Sequence, residues 1–217
     1  MSSRDKTLNR LRQSVQVGKS ERSVIIPDSE LYTDFPVSTA DLLNLFSERL
    51  RQLHGELILA EDMSAAADNL YETIYEFPPN SCLAHAPGIL EEMAKLKPAI
   101  AGRLADNTML AADSPAFARI TAGITNADYL VARSGSIILS AATAGGRRLS
   151  VLPPVHIVLA YISQLVPSLD TALEGLPESS YITIITGPSR TSDIEKKLVL
   201  GAHGPKRLVV ILIKNSA

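Results

Sequence analysis

Apolar residues recur every three or four positions over the segment that begins after Ser38 and ends before Gly55. This spacing places them on one face of a helix, and Ser38 with Asp41 three residues later forms a capping-box-like start. The residues on the apolar face are Leu42, Leu43, Phe46, Leu50 and Leu53. The pattern predicts an amphipathic helix that packs on a core.

Short apolar runs then alternate with helical patterns as far as Ala122. Strands are predicted at 57–60, at 81–84 and through 109–112, and helices at 64–75, 88–96 and 115–122. Strands that alternate with helices are typical of βαβ units, so this part of the chain predicts a mainly parallel sheet.

From Ala127 onward, apolar runs follow one another across short turns that contain Gly or Ala. Three such runs lie at 129–132, 137–140 and 149–152. Connections this short join antiparallel neighbours, which makes the predicted sheet mixed. The remaining predicted elements are a strand at 157–160, a helix at 168–173, a strand at 181–186, a helix at 193–198 and a strand at 208–213. The predicted class is α/β, with a mixed, mainly parallel sheet and helices on both faces.

The amino-terminal part of the chain has a different pattern. Residues 1–22 mix charges with a few apolar positions at roughly helical spacing, and residues 23–37 contain two prolines. We interpret residues 1–36 as a helical arm and an irregular linker, and residues 37–217 as one α/β domain. The arm is expected to pack on the domain surface or against another copy of the chain.

Composition and charge narrow the class of protein. Of the 217 residues, 46% are hydrophobic and 20% are charged, with a net charge of −2, as in an ordinary globular protein. Lys and Arg are spread along the chain, which argues against nucleic acid as a partner. No apolar stretch has the length of a membrane span, and the polar start lacks the apolar core of a signal peptide, so we expect the cytoplasm.

The single cysteine, Cys82, excludes an internal disulfide and any zinc or iron–sulfur site built from cysteines of this chain alone. We interpret it as a buried structural thiol. Histidines and carboxylates show no tight ligand spacing, so no metal site is predicted, and the sequence identifies no cofactor.

The most informative turn follows the apolar run at 181–186. A strand that stops at Gly187 and a helix that starts behind Ser189 and Thr191 would present unpaired N–H groups and a partial positive charge to an anion. Arg190 would add a forked cationic contact to the same anion. Asp193 falls in the first turn of that helix, where it either caps backbone donors or acts on a substrate.

Other turns carry further candidates. His203 and Gly204 lie in a small-residue turn before the last predicted strand. Arg133, Gly135 and Ser136 lie between two apolar runs, where the glycine lets a ligand approach the backbone.

Two features leave open both a functional and a structural interpretation. His156 is a general acid or base, a metal ligand, or a satisfied structural residue beside an apolar run. Arg147 and Arg148 are either part of a cationic rim or two exposed turn arginines. Because open α/β sheets bind ligands at the carboxyl ends of their strands, we expect the candidate turns to share one crevice there, which holds a small carboxylate or phosphate.

Four segments, in this order, resemble the LUD domain. They are Gly-Ile-Thr-Asn-Ala-Asp at 123–128, Arg-Arg-Leu-Ser-Val-Leu-Pro-Pro-Val-His at 147–156, Gly-Pro-Ser-Arg-Thr-Ser-Asp-Ile-Glu at 187–195 and Gly-Ala-His-Gly-Pro at 201–205. The resemblance covers about residues 40–215, and the stand-alone members of this family are similar to lactate-utilisation protein C.

The resemblance implies a fold like that of the glucosamine-6-phosphate deaminase, ribose-5-phosphate isomerase and CoA-transferase superfamily. It also implies a bacterial role in the oxidation of L-lactate to pyruvate, alongside iron–sulfur partner proteins. One position departs from the family pattern, because Ala-Glu-Thr-Gly is replaced by Ala132-Arg133-Ser134-Gly135. CoA-transferases of similar fold use a glutamate near a glycine as nucleophile, so Arg133 excludes a glutamyl–CoA intermediate at this position.

Two classes of function remain. One is an accessory subunit of a lactate-oxidising system that binds a partner protein or a small anion. The other is an enzyme that acts on a small carboxylate or a phosphorylated substrate. The single cysteine favours the first for redox work, whereas a crevice with strongly shifted His or Asp pKa values would favour the second.

Overall fold

A computed structural model describes residues 38–105, 119–141, 147–176, 181–191, 199–200 and 204–215. The predicted arm and linker, the predicted strand at 109–112 and the predicted helix at 193–198 lie outside these residues. So do the side chains of Arg190 and Thr191.

The first half of the described chain alternates helices and strands as predicted. Helix α1 begins where the sequence indicates, because the backbone N–H of Asp41 donates to the Ser38 hydroxyl at 3.2 Å. The elements are α1 (Thr39–Gln52), β1 (Glu56–Ala60), α2 (Met63–Tyr75), β2 (Cys82–His85), α3 (Ile89–Leu96) and α4 (Pro98–Ala101).

The second half is richer in strands. Its elements are β3 (Ile120–Asn126), β4 (Tyr129–Val131), β5 (Ser136–Ser140), α5 (Arg148–Val151), β6 (Val155–Tyr161), β7 (Leu165–Val166), α6 (Leu169–Glu174), β8 (Ile182–Ile185), β9 (Arg190–Thr191), β10 (Val199–Leu200) and β11 (Arg207–Ile213).

Five of these strands form a parallel sheet in the order β1-β11-β6-β3-β2. Its centre is the pairing of β11 with β6, which runs from Arg207 opposite Val155 to Ile213 opposite Tyr161. The closely spaced strands form a second sheet in the order β7-β4-β5-β8, in which β5 is antiparallel to both β4 and β8. The α/β class with a mainly parallel sheet is confirmed.

Helices cover one face of the parallel sheet. Leu70 on α2, Met93 on α3 and Ile100 on α4 pack in one cluster with strand residues such as Ile124 and Ile211. Each of these side chains has at most 1% of its surface exposed, so this face is sealed. Burial of large aliphatic side chains contributes on the order of 2 kcal/mol each, which makes this cluster a main source of stability.

The opposite face of the parallel sheet packs against α1 and the second sheet. Phe46 of α1 and Ile137 of β5 cluster with Val158 and Val210 of the parallel sheet. The outer side of the second sheet carries α6, whose Ala172 packs on Ile138. Helices therefore lie on both sides of the parallel sheet, as predicted.

Two predicted elements are wrong. The run at 149–152 forms the end of helix α5 and not a strand, because four apolar residues are too few for periodicity to separate the two conformations. The helix predicted at 115–122 cannot extend to its predicted end, since Ile120 already begins β3. No helix in the described part of the chain is long and apolar enough to cross a membrane.

Candidate functional site

Three of the chain segments singled out by sequence meet at the amino end of the parallel sheet. The backbone N–H of Ser189 donates to the carbonyl of Pro205 at 2.8 Å, just before β11 begins. The N–H of Lys206 donates to the carbonyl of Pro154 at 2.8 Å, just before β6 begins. Segments that are distant in sequence are thereby held side by side by their main chains.

Gly204 is the point of closest approach between these segments. A Cβ atom at this position would lie 3.1 Å from Cβ of Ser189 and 3.7 Å from the carbonyl oxygen of Val151. The turn before β11 therefore packs against both the turn after β8 and the end of helix α5. We call this group of residues, Val151, Ser189 and Gly204, the amino-edge junction.

A cavity of about 300 Å³ opens beside the junction. Its described lining consists of Arg147, Arg148, Val151 and Leu152, and we call it the arginine cavity. Val151 belongs to both the junction and the cavity, so the two are adjacent. Two guanidinium groups on an otherwise apolar wall suit an anion that also carries a carbon skeleton.

Arg147 is held in place at the cavity by two contacts. Its guanidinium carbon lies 5.6 Å from the centre of the Tyr181 ring, a cation–π geometry. Its carbonyl oxygen accepts a hydrogen bond of 3.0 Å from the Ser150 hydroxyl, which closes the first turn of α5. Stacking occupies the face of a guanidinium and leaves its N–H edges available for an anion.

Arg207 is a third arginine at this edge, but its charge is compensated. It donates to both carboxylate oxygens of Glu56 at 2.8 Å and to Glu76 at 2.6 Å. Hydrogen bonding to Glu56 raises the pKa of the guanidinium above its ordinary value, with a further contribution from Glu76. Arg207 therefore ties β11 to β1 and to the end of α2, and contributes little net charge to the arginine cavity.

A second group of predicted residues surrounds the carboxyl end of α1. Gly135 and Gly187 both have positive φ, +66° and +90°, which glycine adopts without strain. A Cβ at Gly135 would lie 2.8 Å from the Leu50 nitrogen, and one at Gly187 would lie 2.9 Å from the Leu53 oxygen. A side chain at either position would clash, because both turns pack directly against the backbone of α1.

Hydroxyl groups connect these two turns. Ser134 donates to Ser136 at 2.8 Å, and the Ser136 and Thr186 hydroxyls lie 2.9 Å apart. Ser189 comes three positions after Thr186, so their main chains lie at most about 11 Å apart. The hydroxyl group and the amino-edge junction therefore lie on the same edge of the protein.

His156 belongs to neither of these groups. Its ring is fully buried, and Nε2 lies 2.9 Å from the Thr125 hydroxyl, whereas Nδ1 has no hydrogen-bond partner among the described residues. Burial lowers the pKa of the imidazole from its ordinary value of 6.5 to about 3, so the ring is neutral at physiological pH. This environment favours the structural interpretation of His156.

The predicted site residues thus divide into three sets. Gly135, Ser136 and Gly187 come together at the end of α1, and Ser189 and Gly204 come together at the junction. Arg133 is exposed beside the first of these turns, and His156 is buried elsewhere. Asp193 and His203 lie outside the described residues.

One expectation about the predicted site is wrong. The turns that carry Ser189 and Gly204 meet at the amino end of the parallel sheet and not at its carboxyl end, because the second of them precedes β11. Arg190 and Thr191 form a short strand that pairs antiparallel with Val199–Leu200. The helix predicted behind them at 193–198 lies outside the described residues.

Sequence reasoning assigned Arg147 and Arg148 no firm role and missed Tyr181. The available signal was the Arg-Arg pair itself. Burial of two adjacent cations costs free energy unless they contact solvent or an anion. Tyr181 directly precedes β8. Only the tertiary fold places its ring beside the guanidinium of Arg147.

Comparison with known proteins agrees with this architecture. The crystal structure of a DUF162 family protein from Deinococcus radiodurans superimposes with a TM-score of 0.61 at 21% identity, covering 82% of this chain and 99% of that one. It shares the fold.

Sequence comparison adds closer relationships. Lactate utilization protein C of Halalkalibacterium halodurans is 27% identical over 98% of both chains. Lactate utilization protein C of Bacillus pumilus is 42% identical over 40% of this chain and 39% of that protein. The LUD domain matches residues 43–213, which is most of the chain, and the protein therefore belongs to the LUD domain family.

Proposed function

We propose that this protein is a component of bacterial L-lactate oxidation to pyruvate, and that it binds a small anion in the arginine cavity. The family and a relative named lactate utilization protein C, which aligns over 98% of both chains, support the role in lactate utilisation. The observation that carries the anion is the pair Arg147 and Arg148 on one cavity beside the amino-edge junction.

Charge at the cavity is consistent with this role. The described lining contains two arginines and no acidic residue. A guanidinium forms a charge-assisted hydrogen bond with a carboxylate or phosphate, which is about twice as strong as a neutral one. An anion therefore gains binding energy here that a neutral metabolite does not.

The alternative, an enzyme on a small carboxylate or phosphorylated substrate, has weaker support. A histidine with a strongly shifted pKa was the expected sign of an enzyme, and the pKa of His156 is shifted in this way. The shift comes from burial alone, the imidazole is hydrogen-bonded to Thr125, and His156 is not among the described residues that line the cavity. A group that exchanges protons with a substrate must reach it, and the His156 side chain is fully buried.

Electron transfer in this proposal belongs to partner proteins. Cys82 is the single cysteine of the chain and is half-buried, so an iron–sulfur cluster would be supplied by a separate subunit. A single cysteine without a disulfide partner in the chain is compatible with a reducing compartment, and we propose a cytoplasmic location. We also propose that the protein docks on such an iron–sulfur partner while its cavity is occupied.

The role in lactate utilisation is tested by growth. In the bacterium that carries the gene, deletion should abolish growth on L-lactate and leave growth on pyruvate intact. A plasmid with the wild-type gene should restore growth, and one with Arg147→Gln and Arg148→Gln together should not. Normal growth of the deletion strain on L-lactate would overturn the proposal.

A matched control separates a local effect from a general loss of positive charge. Lys95 is exposed on α3, which covers the opposite face of the parallel sheet. Lys95→Gln removes one cation at a distance from the arginine cavity and should restore growth fully. Equal defects in the Lys95 and arginine variants would show that the cavity has no special role.

A further inference from the structure

The second sheet ends in a strand with an open edge. In the order β7-β4-β5-β8, strand β8 (Ile182–Ile185) pairs with β5 on one side and with no other strand of the described chain. An edge strand presents a row of main-chain N–H and C=O groups that can pair with another chain. The edge of β8 is therefore a surface on which a further strand can be added.

The main-chain groups of Ile184 point to this open edge. In an antiparallel pair, residues that exchange hydrogen bonds alternate with residues whose N–H and C=O groups point away from the partner strand. The carbonyl of Ile138 on β5 accepts a hydrogen bond of 2.9 Å from the N–H of Asp128, on the β4 side. Ile184 lies opposite Ile138, so its own N–H and C=O point away from β5. Ile182, two residues earlier, has the same orientation.

The side chains of the same two isoleucines are exposed. Ile182 has 43% and Ile184 has 47% of its surface exposed. On the outer face of the sheet, Ala172 of α6 packs on Ile138, but this cover does not seal the neighbouring Ile184. Leu173 of α6 is exposed as well. Exposed apolar side chains beside an open strand edge are typical of a protein-interaction surface.

In the described part of the chain, the other edges of the two larger sheets are protected. Leu104 forms a parallel bridge with Leu83 and so covers β2. Strand β1 begins at Glu56, whose carboxylate is paired with Arg207. Strand β7 has only two residues and is followed by Pro167. Cover, charge, shortness and proline are the devices that keep an edge from pairing with another chain.

Strand β8 has neither a charge nor a proline, and this composition fits a second copy of the same chain. The segment 181–186 is uncharged, so two copies can meet without the like-charge contacts that destabilise paired strands. A two-fold axis brings the same surface of two subunits together, and it places two β8 strands antiparallel. Because β8 is already antiparallel to β5, the sheet continues with the same geometry. An acidic or basic peptide would gain no charge contact from this strand.

We infer that the protein forms a two-fold dimer in which β8 pairs antiparallel with β8 of a second copy. The second sheet then continues across both subunits, and the open main-chain groups of Ile182 and Ile184 gain partners. Their exposed side chains pack together on the outer face. A strand of four residues buries a small area, so the association is reversible and depends on protein concentration. The dimer is independent of the proposed anion site.

Sedimentation velocity of the full-length protein tests the inference. As the protein concentration is raised, the sedimenting species should shift from one chain to two. Hydrogen–deuterium exchange should slow in the peptide that contains β8 as the dimer forms, whereas exchange in α3, on the other face of the parallel sheet, should not change. A protein that stays monomeric up to its highest soluble concentration would overturn the inference.

Two substitutions at Ile184 locate the interface. Ile184→Lys puts a cation on the edge of each copy and should raise the dissociation constant of the dimer by about tenfold or more. Ile184→Pro removes the outward N–H without loss of a bond to β5, and it should weaken the dimer as well. Leu96→Lys is the matched control, because Leu96 is 57% exposed at the end of α3. This control should dimerise as the wild type does.

The variants also define what would contradict self-pairing. Circular dichroism verifies the fold of each variant, and Ile184→Lys remains informative if Ile184→Pro is unstable. Unchanged dimerisation of folded Ile184→Lys would place the contact elsewhere and overturn the inference, as would an equal loss in Leu96→Lys. Protection of β8 in a protein that stays monomeric, seen only after another protein is added, would assign the edge to that partner and overturn self-pairing.

Discussion

His156 on β6 and Thr125 on β3 are joined by a buried hydrogen bond, with 2.9 Å between Nε2 and the threonine hydroxyl oxygen. Both side chains have at most 1% of their surface exposed. The pair lies on the face of the parallel sheet that meets the second sheet and α5. The ring is neutral at this site, since a charged imidazole would be buried without a carboxylate partner among the described residues.

The stability of the protein should therefore fall in acid through His156. Burial lowers the pKa of the folded-state imidazole to about 3 from 6.5, so between these values the unfolded chain binds a proton that the folded protein does not. The contribution is complete above pH 6.5 and is lost as the pH falls towards 3. Urea unfolding should show a loss of about 2 kcal/mol from this residue between pH 7 and pH 5.

His156→Gln is the control for this prediction, because glutamine can still bond to Thr125 and does not titrate. The variant should be less stable than the wild type at pH 7, and its free energy of unfolding should fall by about 2 kcal/mol less between pH 7 and pH 5. Parallel pH profiles for the two proteins would show that His156 is accessible to protons in the folded state.

Gly123→Ala should destabilise the protein and weaken anion binding together. A Cβ at Gly123 would lie 2.0 Å from the carbonyl oxygen of Leu149, so helix α5 would have to move. Overpacking of this kind costs about 1–3 kcal/mol, and α5 carries Arg148. Urea unfolding and phosphate titration measure the two effects.

Gly102→Ala is a matched substitution without the clash. Its nearest contact would be the Ala99 oxygen at 3.8 Å, an ordinary van der Waals distance. We expect a change within about 0.5 kcal/mol in the free energy of unfolding and no change in phosphate binding. A Gly123→Ala protein that behaves like this control would contradict the close packing of α5 on β3.

Tyr181→Leu should weaken anion binding without unfolding the domain. It removes the ring that lies 5.6 Å from the Arg147 guanidinium and so frees that side chain. A cation–π contact at a partly exposed site contributes about 0.5–1 kcal/mol, which corresponds to about a two- to five-fold weaker affinity for inorganic phosphate. Tyr181→Phe keeps the ring and should bind as the wild type does; an equal loss in both variants would assign the effect to the hydroxyl group.

Removal of residues 1–22 should leave the α/β domain folded. The prediction rests on their polar, weakly periodic sequence, which supplies little apolar surface to a core. Thermal unfolding of the truncated protein should remain a single cooperative transition. Insoluble protein, or a broad transition, would mean that this segment completes the hydrophobic core.

Local pattern was sufficient for most elements. The helix behind Ser38 and the final strand at 208–213 appear within one or two residues of their predicted ends, because each has a long, consistent period or a clear cap. The run at 149–152 was misassigned since four apolar residues between Gly-Gly and Pro-Pro suit a strand or a helical turn equally well.

The sequence by itself determined the α/β class, the LUD resemblance and the candidate turns, because periodicity, turn chemistry and motif order are local properties of the chain. Only the tertiary structure decided which turns meet. Ser189 and Gly204 come together through a main-chain bond to Pro205, and Arg147 meets Tyr181, since strand order and sheet packing bring distant segments to one edge. The tertiary structure also decided the environment of His156, because burial depends on what packs over a residue and not on its neighbours in sequence.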